Sequence, residues 1–407
     1  MKILHTADWH LGKRLEKFSR LEEQREVLEE IIGLADEHQV DVVLIAGDLF
    51  DNFNPANEAV ELFYKTLKRL SNNGRRAVIA IAGNHDSPER IGAPDPLGRE
   101  CGIFFSGFPH SVISPCQLDS GVCISKSEPG FIELNIPGHS FPLRIIHTPY
   151  ANEYRLKSFL GVQDEEQNLR DLLQAHWRKL ADQYCDDQGV NLLLSHLYLM
   201  KKGAEAPEEP DDEKPILHVG GAQAIYSENI PPQIQYVALG HLHRHQQVDN
   251  QPCPIVYSSS PLSYSFSEAG QTKYVILVNA APGQKVSYDK LSLQSGKPLI
   301  RKKFDHIDTA VDWLSNHQDA LVELTLESDD YLRAEDRKRV FQSHPGIVSI
   351  IPVVKNAHFA ETEKADLDIT GHIEDLFISY FKHKHGASPN ENILELFKEI
   401  RAENPTE

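Results

Sequence analysis

The residues with the clearest chemical potential are aspartate, asparagine and histidine side chains in short motifs along the first 243 residues. In chain order the motifs are Asp8-Trp9-His10, Gly47-Asp48, Gly83-Asn84-His85-Asp86, His196 and Gly240-His241-Leu242-His243. This mixture of oxygen and imidazole ligands suits manganese, iron or zinc, and it lacks the thiolates typical of structural zinc sites. The sequence therefore predicts a metal site without cysteine ligands.

The set is larger than one ion requires. A single ion with an open coordination position needs about three to five protein ligands. Two ions are the economical interpretation, and one carboxylate must then bridge them. Asp48 is the natural candidate, because it follows the most apolar of the predicted strands. Two ions roughly 3.5–4 Å apart can clamp a phosphodiester, activate a water as hydroxide and neutralise charge in the transition state. The predicted chemistry is phosphoryl-ester hydrolysis.

Each motif alone is weak evidence. An Asp-x-His pair can be a surface accident, and a histidine on an apolar strand is often a satisfied core residue. Asn84 or Asp86 could simply cap a helix that begins near Pro88. Their joint occurrence at strand ends favours a shared site. The glycines before Asp48, Asn84 and His241 allow the backbone to turn sharply and bring these side chains close to the ions.

The first third of the chain alternates apolar runs with helical patterns. Apolar runs predict strands at residues 2–7, 40–46 and 77–82, and amphipathic spacing predicts helices at 21–37 and 57–70. This βαβαβ order implies parallel strands with right-handed crossovers. Open α/β sheets bind their ligands at the carboxyl ends of such strands, which is where the motifs lie.

The remaining elements divide into three groups. Further strands are predicted at 131–136, 143–147, 191–194 and 236–239, with a helix at about 165–184 and an acidic, proline-bearing loop at 204–215. A small α+β unit is predicted from a strand at 320–326, a helix at 334–343 and a strand at 347–354. Two amphipathic helices, at 369–382 and 390–402, have no obvious core of their own.

Composition indicates a globular cytoplasmic protein with reduced cysteines. No apolar run approaches the roughly 20 residues needed to span a bilayer, and the five scattered cysteines show no metal-like pairing. The net charge of −19 argues against a nucleic-acid partner, since phosphate contacts normally come from clustered lysine and arginine. Two local basic clusters could supply them or be ordinary solvated faces: Lys13, Arg14, Lys17 and Arg20, and then Arg301, Lys302 and Lys303.

The motif series resembles that of the calcineurin-like metallophosphoesterases. Three segments are similar to the DNA double-strand-break-repair nuclease branch of that family, in its bacterial form: His5-Thr6-Ala7-Asp8-Trp9-His10-Leu11-Gly12, Gly47-Asp48-Leu49-Phe50-Asp51 and Gly240-His241-Leu242-His243. The resemblance covers most of the first 280 residues. It implies an α/β fold in which a β-sandwich is flanked by helices, followed by a small α+β capping domain and C-terminal helices.

The resemblance also implies roles for individual residues. One ion would be held by Asp8, His10, Asp48 and His243, and the other by Asp48, Asn84, His196 and His241. His85 would remain outside both sets and assist the transition state and the leaving oxygen, with Asp86 or another carboxylate orienting it. Archaeal relatives carry a second histidine where this chain has Asp51. The role of that histidine in choosing between exonuclease and endonuclease outcomes therefore does not transfer.

The domains and partners follow from the same resemblance. It implies a nuclease core at 1–280, a capping domain at 285–356 that seats duplex DNA, and a helical segment at 365–407 that docks on the coiled-coil base of a separate ATPase. The expected protein is a two-manganese nuclease, a homodimer within a heterotetramer. It would act as a 3'-5' double-strand exonuclease and a single-strand and hairpin endonuclease, in DNA repair, recombination and replication.

Two other classes of function remain open. A stand-alone phosphatase or small-molecule phosphodiesterase would use the same ligands, but the length and the two C-terminal modules argue against it. A non-catalytic scaffold of the same fold would have an incomplete site. The full ligand set and His85 argue against that alternative. Extra core helices are the structural alternative to ATPase docking for the last segment.

Overall fold

The structure is a computed structural model of the 407-residue chain, and it describes residues 1–150, 169–204, 225–328, 333–354, 376–378 and 394. Met1–Ser328 and Leu332–Val353 group into one compact unit. In the described part of the chain, no helix is both long enough and apolar enough to cross a membrane.

Short strands and a smaller number of helices make up this unit. The strands are β1 (Lys2–Thr6), β2 (Arg14–Leu15), β3 (Phe18–Ser19), β4 (Val42–Ala46), β5 (Ala77–Ile81), β6 (Ile103–Ser106), β7 (Cys116–Gln117), β8 (Cys123–Glu128), β9 (Phe131–Asn135), β10 (Leu143–Thr148), β11 (Val190–His196), β12 (Leu199–Met200), β13 (Ile225–Tyr226), β14 (Tyr236–Gly240), β15 (Gln246–Asp249), β16 (Ile255–Tyr257), β17 (Tyr274–Asn279), β18 (Ser287–Ser292), β19 (Leu299–Phe304), β20 (Leu321–Ser328) and β21 (Ile347–Val354). The helices are α1 (Leu21–Glu37), α2 (Asn57–Leu70), α3 (Pro88–Gly92), α4 (Asp95–Glu100), α5 (Leu169–Tyr184), α6 (Ile307–Ser315) and α7 (Ala334–Ser343).

Two large sheets form the body of the fold. The first has six strands in the order β18-β17-β1-β4-β5-β6, and its neighbours from β1 to β6 are parallel. The second has eight strands in the order β15-β16-β14-β11-β10-β9-β8-β7, with a parallel centre of β10, β11, β14 and β16. Parallel pairing brings the carboxyl ends of neighbouring strands to one edge, as the βαβαβ pattern predicts.

The layers are helix, sheet, sheet, helix. Side chains such as Leu44 and Ile79 of the first sheet and Leu192 and Ala238 of the second share one buried core between the sheets. A second core lies between the first sheet and α1 and α2, and a third lies under α5. The predicted β-sandwich flanked by helices is confirmed.

Amphipathic spacing explains the two main helices of the first layer. In α1 the buried residues Val27, Leu28, Ile31 and Ile32 recur at helical spacing and face the sheet, and their neighbours are mostly charged. In α2 the same pattern places Phe63 and Leu67 inward. The predicted bounds of both helices are confirmed.

A smaller α+β unit follows the sandwich. β19, β20 and β21 form a three-stranded sheet, and Leu314 of α6 and Val340 of α7 share a separate core with it. The predicted helix at 334–343 and strand at 347–354 are confirmed, whereas α6 was not expected. β18 lies inside the range expected for the capping domain, yet it pairs with β17 in the six-stranded sheet. By pairing, the small unit begins at β19.

Some expectations fall on residues that the structure does not describe. The described part of the predicted helix at 165–184 begins at Leu169. All but the first residue of the acidic loop at 204–215 lies outside the described residues, and so does nearly all of the two C-terminal helices. The helical segment at 365–407 stays a prediction.

Candidate metal centre

The predicted site residues come from five strand ends on two different sheets. Asp8 and His10 follow β1, Asp48 follows β4, and Asn84 and His85 follow β5 in the first sheet. In the second sheet His196 ends β11, and His241 and His243 follow β14. The sheets meet at this edge, since His196 Nδ1 lies 2.8 Å from the backbone oxygen of Ala46 at the end of β4. The structure therefore brings together motifs that lie far apart in sequence.

Glycines permit this close approach. A side chain at Gly83 would meet Asp48 Oδ1 at 2.1 Å, and one at Gly240 would meet the backbone oxygen of Ala46 at 1.9 Å. Gly47 has a φ of +88°, which other residues rarely adopt. As expected, these glycines let the ligand candidates approach closely. At Gly83 and Gly240 there is no room for a side chain, and at Gly47 the backbone conformation favours glycine.

The backbone carries strain at the ligands themselves. Asp8, His10, Asp48 and His241 all have positive φ, at 55°, 44°, 49° and 106°. Aspartate and histidine tolerate this region better than most residues, but each such conformation still costs about 1–3 kcal/mol. Strain of this kind persists where the surrounding structure enforces it, and it clusters at functional sites.

One group of donor atoms surrounds His10. The donor atoms of Asp8, His10 and Asp48 lie within 4.8 Å of one another, and all three side chains are fully buried. His10 Nε2 lies 2.9 Å from His243 Nε2 and 3.6 Å from Asp48 Oδ2. Ring nitrogens and a carboxylate oxygen thus converge from both sheets.

A second group surrounds His196. His196 Nε2 lies 2.8 Å from Asn84 Oδ1 and 3.4 Å from Asp48 Oδ2, and the His196 and His241 rings have centroids 5.6 Å apart. The same atom, Asp48 Oδ2, therefore lies between a ring nitrogen of each group. This is the position that a bridging carboxylate requires.

The donor set fits divalent cations. Asp8 Oδ2 and Asp48 Oδ2 are buried carboxylate oxygens that accept no hydrogen bond from the residues the structure describes. Buried carboxylate oxygens are normally hydrogen-bonded or coordinate a metal. Two of them, beside several imidazoles in a buried space, form a hard and borderline ligand set that suits manganese, iron or zinc.

The charges of these groups are strongly interdependent. Burial raises the pKa of Asp8 to about 7, although His196 and His243 oppose the shift. Burial also acts against the charge of Asp48, but His196 beside it holds the pKa of this carboxyl well below its usual range. Burial lowers the pKa of His196, yet the nearby Asp48 outweighs it and raises the value to about 9. Asp8 and His196 therefore retain protons that a divalent cation would displace, whereas Asp48 is ionised.

Backbone and carboxylate oxygens orient the histidine ligand candidates. His196 Nδ1 donates to the carbonyl of Ala46, because a carbonyl only accepts, and this leaves Nε2 toward Asn84 and Asp48. His243 Nδ1 lies 3.3 Å from Glu268 Oε1, which leaves its Nε2 toward His10. Such outer contacts fix the tautomer and direction of metal-binding imidazoles.

His85 lies at the edge of this cluster. Its Nδ1 donates to the backbone oxygen of Asp51 at 2.7 Å, its backbone N–H donates to Asp48 Oδ1 at 2.9 Å, and its ring centroid is 4.8 Å from that of His10. The carbonyl contact places a proton on Nδ1 and turns Nε2 into the atom that can accept or deliver another.

Asp86 contacts the loop that carries Asp48. Its carboxylate accepts hydrogen bonds from the backbone N–H groups of Leu49 at 3.0 Å, Phe50 at 2.9 Å and Gly83 at 2.8 Å. From the resemblance, Asp86 or another carboxylate was expected to orient His85, whereas the oxygen that holds His85 Nδ1 belongs to the backbone of Asp51. The contacts of Asp86 instead tie the loops after β4 and β5 together.

The two basic clusters could contact phosphate or be ordinary solvated faces, and several of their side chains pair with carboxylates within the protein. Arg20 is buried and forms a two-point contact with Glu23, at 2.7 and 2.9 Å. In the small unit Arg301 lies 2.6 Å from Glu323, and Lys303 pairs with Glu327. These pairings engage only part of each cluster, since Arg14, Lys17, Arg301, Lys302 and Lys303 all remain exposed.

Glu268 and Lys273 were not predicted from the sequence. Both are buried, and Lys273 Nζ pairs with Glu268 Oε2 behind His243. Neither residue follows a strand end or belongs to a recognisable motif, so the sequence carries no local signal for them. A buried pair of opposite charges behind a distant histidine becomes visible only when the fold is known.

Comparisons with known proteins show the family of the chain. The family model described as calcineurin-like phosphoesterase matches residues 1–245. The SbcD subunit of the SbcCD nuclease from Bacillus subtilis (strain 168) is 36% identical over 407 residues, which covers 98% of this chain and 97% of the relative. A protein of the same name from Rhodobacter capsulatus is 32% identical over 313 residues, covering 74% of this chain and 71% of the relative.

Solved structures give a weaker likeness. A dimetal phosphatase from Danio rerio is 13% identical, with 73% of this chain and 99% of that chain covered and a TM-score of 0.38. A likeness of this size supports no inference about the present chain.

Proposed function

Because the chain belongs to the calcineurin-like phosphoesterases and, within them, to the family of the SbcD nucleases, we propose that it is the metal-dependent nuclease subunit of an SbcCD complex. It is a hydrolase that acts on ester bonds. Its partners in this proposal are DNA and the SbcC ATPase. The predicted membership in the bacterial repair-nuclease branch is confirmed.

The proposal assigns two ions, with manganese as the metal. One would be held by Asp8, His10, Asp48 and His243, and the other by Asp48, Asn84, His196 and His241. When bound, such a pair supplies an activated water and neutralises charge on the phosphodiester. The observation that carries the proposal is the position of Asp48 Oδ2, which lies 3.6 Å from His10 Nε2 and 3.4 Å from His196 Nε2.

The protein groups have separate tasks in this scheme. Asp48 fixes the spacing of the two ligand sets, and its other oxygen accepts the backbone N–H of His85. This hydrogen bond holds His85 next to the cluster, while the carbonyl of Asp51 orients its ring. His85 Nε2 can then donate a proton to the oxygen that leaves the phosphorus. The Asp51 carboxylate itself lies 3.5 Å from Lys13 Nζ.

The finer activities belong to the same proposal. By family membership we assign 3'-5' exonuclease activity on duplex DNA and endonuclease activity on single strands and hairpins, with roles in DNA repair, recombination and replication. We also propose a homodimer of this chain within a heterotetramer. By the same family membership, the small unit that begins at β19 is assigned to seating duplex DNA.

A manganese-supplemented assay with three substrates tests the proposal. Purified protein is compared on linear duplex or plasmid DNA, bis-p-nitrophenyl phosphate and a phosphomonoester. We expect DNA cleavage, slower cleavage of the small diester, and no significant release of phosphate from the monoester. Fast hydrolysis of the monoester without DNA cleavage would support a stand-alone phosphatase. Full metal binding without hydrolysis of any substrate would support a scaffold.

A further inference from the structure

We infer that Glu268 is a positioning residue for His243, and that its carboxylate holds the imidazole with Nε2 directed toward one of the two ions. The inference rests on the proposed function. Glu268 Oε1 lies 3.3 Å from His243 Nδ1, and both side chains are buried. Because the charged carboxylate only accepts, the Nδ1 proton points toward Glu268 and the Nε2 lone pair points away from it.

The far side of the same ring reaches the metal centre. His243 Nε2 lies 2.9 Å from His10 Nε2, within the group of donor atoms that includes Asp48. The imidazole therefore spans the distance between Glu268 and the ligand cluster. A carboxylate behind a metal-binding histidine also raises the basicity of the ligand.

Lys273 keeps Glu268 charged and in place. Its ammonium pairs with Glu268 Oε2 and donates to the backbone oxygen of His243 at 2.7 Å and to Ser260 Oγ at 3.0 Å. Both charged groups are buried, and the ion pair between them compensates for the loss of solvent. Lys273 thus binds both the side chain that orients His243 and the backbone of His243.

Hydrogen bonds and packing hold the turn that carries Glu268 in place. Glu268 Oε1 accepts the backbone N–H groups of Tyr264 at 3.1 Å and Ser265 at 3.2 Å. Phe266, two residues earlier, is buried in a cluster with Leu15 of the β2–β3 hairpin and Leu299 of β19. A group that orients a ligand must itself be locked by packing and hydrogen bonds, and Glu268 meets this requirement.

The two proposed ions differ in how their histidines are oriented. His243 belongs to the set with Asp8 and His10 and faces a carboxylate, whereas His196 of the other set donates to a backbone oxygen. Loss of Glu268 should therefore weaken the binding of one ion and leave the binding of the other unchanged. A purely structural role would instead lower the stability of the whole fold and affect both ions.

The test is a manganese titration of the metal-stripped, full-length chain, with free Mn²⁺ followed by electron paramagnetic resonance. Two variants are compared with the wild type. Glu268→Gln removes the charge, and the double variant Glu268→Met with Lys273→Met removes the acceptor and both charges while nearly keeping the side-chain volume. Replacement of a buried ion pair by apolar side chains of similar size is often tolerated by the fold.

We expect both variants to bind one Mn²⁺ ion about 10–100-fold more weakly than the wild type, with the affinity for the other ion changed by less than about threefold. Glu133→Gln is the matched control, since Glu133 is also buried and paired, with Arg144 at 2.9 Å, but lies on β9 away from the ligands. This control should keep both affinities.

Three results would overturn this inference and leave the proposed function standing. They are wild-type Mn²⁺ affinities in the double variant, equally weakened binding of both ions, or a double variant that cannot fold. If the wild-type chain itself takes up no manganese, the proposed function fails, and the inference fails with it.

Discussion

At the scale of single residues, His85 is held by the same side chain that is proposed to bridge the ions. Its backbone N–H donates to Asp48 Oδ1, while its ring is fixed through Nδ1 by the Asp51 carbonyl. His85 is therefore held in place by hydrogen bonds and not by coordination of a metal ion. This separation between ligand and proton donor leads to different expectations for the two residues.

His85→Ala should lower the rate of DNA cleavage by about 10²–10⁴, because it removes a proton donor without removing a ligand. Manganese content and DNA affinity should stay close to the wild type. The measurement is single-turnover cleavage together with elemental analysis of the purified variant. Asp48→Ala serves as the contrast, since it should lose both metal and activity. A His85→Ala protein that has lost its manganese would show that His85 is a ligand.

A second residue, His5, makes the stability of the fold depend on pH. It is fully buried in β1, with Nδ1 3.0 Å from the hydroxyl of Tyr236 and Nε2 3.1 Å from the backbone oxygen of Leu239. Burial lowers its pKa to about 3, from an ordinary value of 6.5. Between these two pH values His5 of the unfolded chain binds a proton that His5 of the folded chain does not. The contribution of His5 to the free energy of unfolding is therefore fully present above pH 6.5 and is lost as the pH falls toward 3.

His5→Gln should therefore have a lower free energy of unfolding at pH 8 but a shallower decline below pH 6.5. The slope should differ from that of the wild type by up to about 1.4 kcal/mol per pH unit. Urea unfolding of the metal-stripped proteins at several pH values measures this slope. Parallel curves for the two proteins would show that His5 does not contribute to acid sensitivity.

At the scale of elements, α1 holds the connection between the sandwich and the small unit. Glu30 accepts the backbone N–H groups of Gln294 and Ser295, both at 2.8 Å, and Glu23 accepts that of Lys297 at 2.6 Å. Gln294, Ser295 and Lys297 lie in the connection between β18 and β19. Three backbone groups of the connection are thus bound by two carboxylates of one helix, which fixes where the small unit begins.

Glu30→Ala should loosen this connection without touching the metal centre. We expect faster hydrogen exchange at Gln294 and Ser295, a reduced rate on duplex DNA and an unchanged rate on bis-p-nitrophenyl phosphate. The control is Glu29→Ala, because the neighbouring Glu29 pairs with Arg69 of α2 instead. If both substrates lost activity equally, the connection would not act through the seating of DNA.

Elements were predictable where one periodic signal dominated. The bounds of α1, α2 and α7 follow from amphipathic spacing, and the metal motifs could be assigned to strand ends because each follows an apolar run. The contact of His196 with Ala46 was not predictable, since it depends on two sheets meeting at one edge. The pairing of β18 with β17 was likewise set by tertiary context, as its side chains are mostly exposed and give little pattern.

At the scale of the whole molecule, the net charge of −19 remains unusual for a protein that binds DNA. Some basic side chains are not accessible to phosphate, as the buried pair of Arg20 with Glu23 shows, whereas Arg301 remains exposed although it pairs with Glu323. Bound divalent cations would offset part of the negative charge at the site itself. We therefore expect strong dependence of DNA binding on the metal.

The segment at 365–407 is proposed to attach the chain to the ATPase and to take no part in catalysis. Its sequence has apolar residues at helical spacing and no further metal motif, which suits a segment that docks on a coiled coil. Truncation after Lys364 should preserve manganese binding and basal cleavage of single-stranded DNA, and abolish co-purification with the SbcC ATPase. Gel filtration of the mixed proteins measures the complex. A truncated chain that still forms the complex would contradict this role.

The most direct test of the two-metal account is anomalous diffraction at the manganese edge. Crystals of the full-length chain would be grown with Mn²⁺ and a short duplex whose phosphodiesters resist cleavage. The account predicts two anomalous peaks roughly 3.5–4 Å apart, on either side of Asp48, with a DNA phosphate beside both. A single peak, or two peaks with the DNA phosphates bound elsewhere, would contradict it.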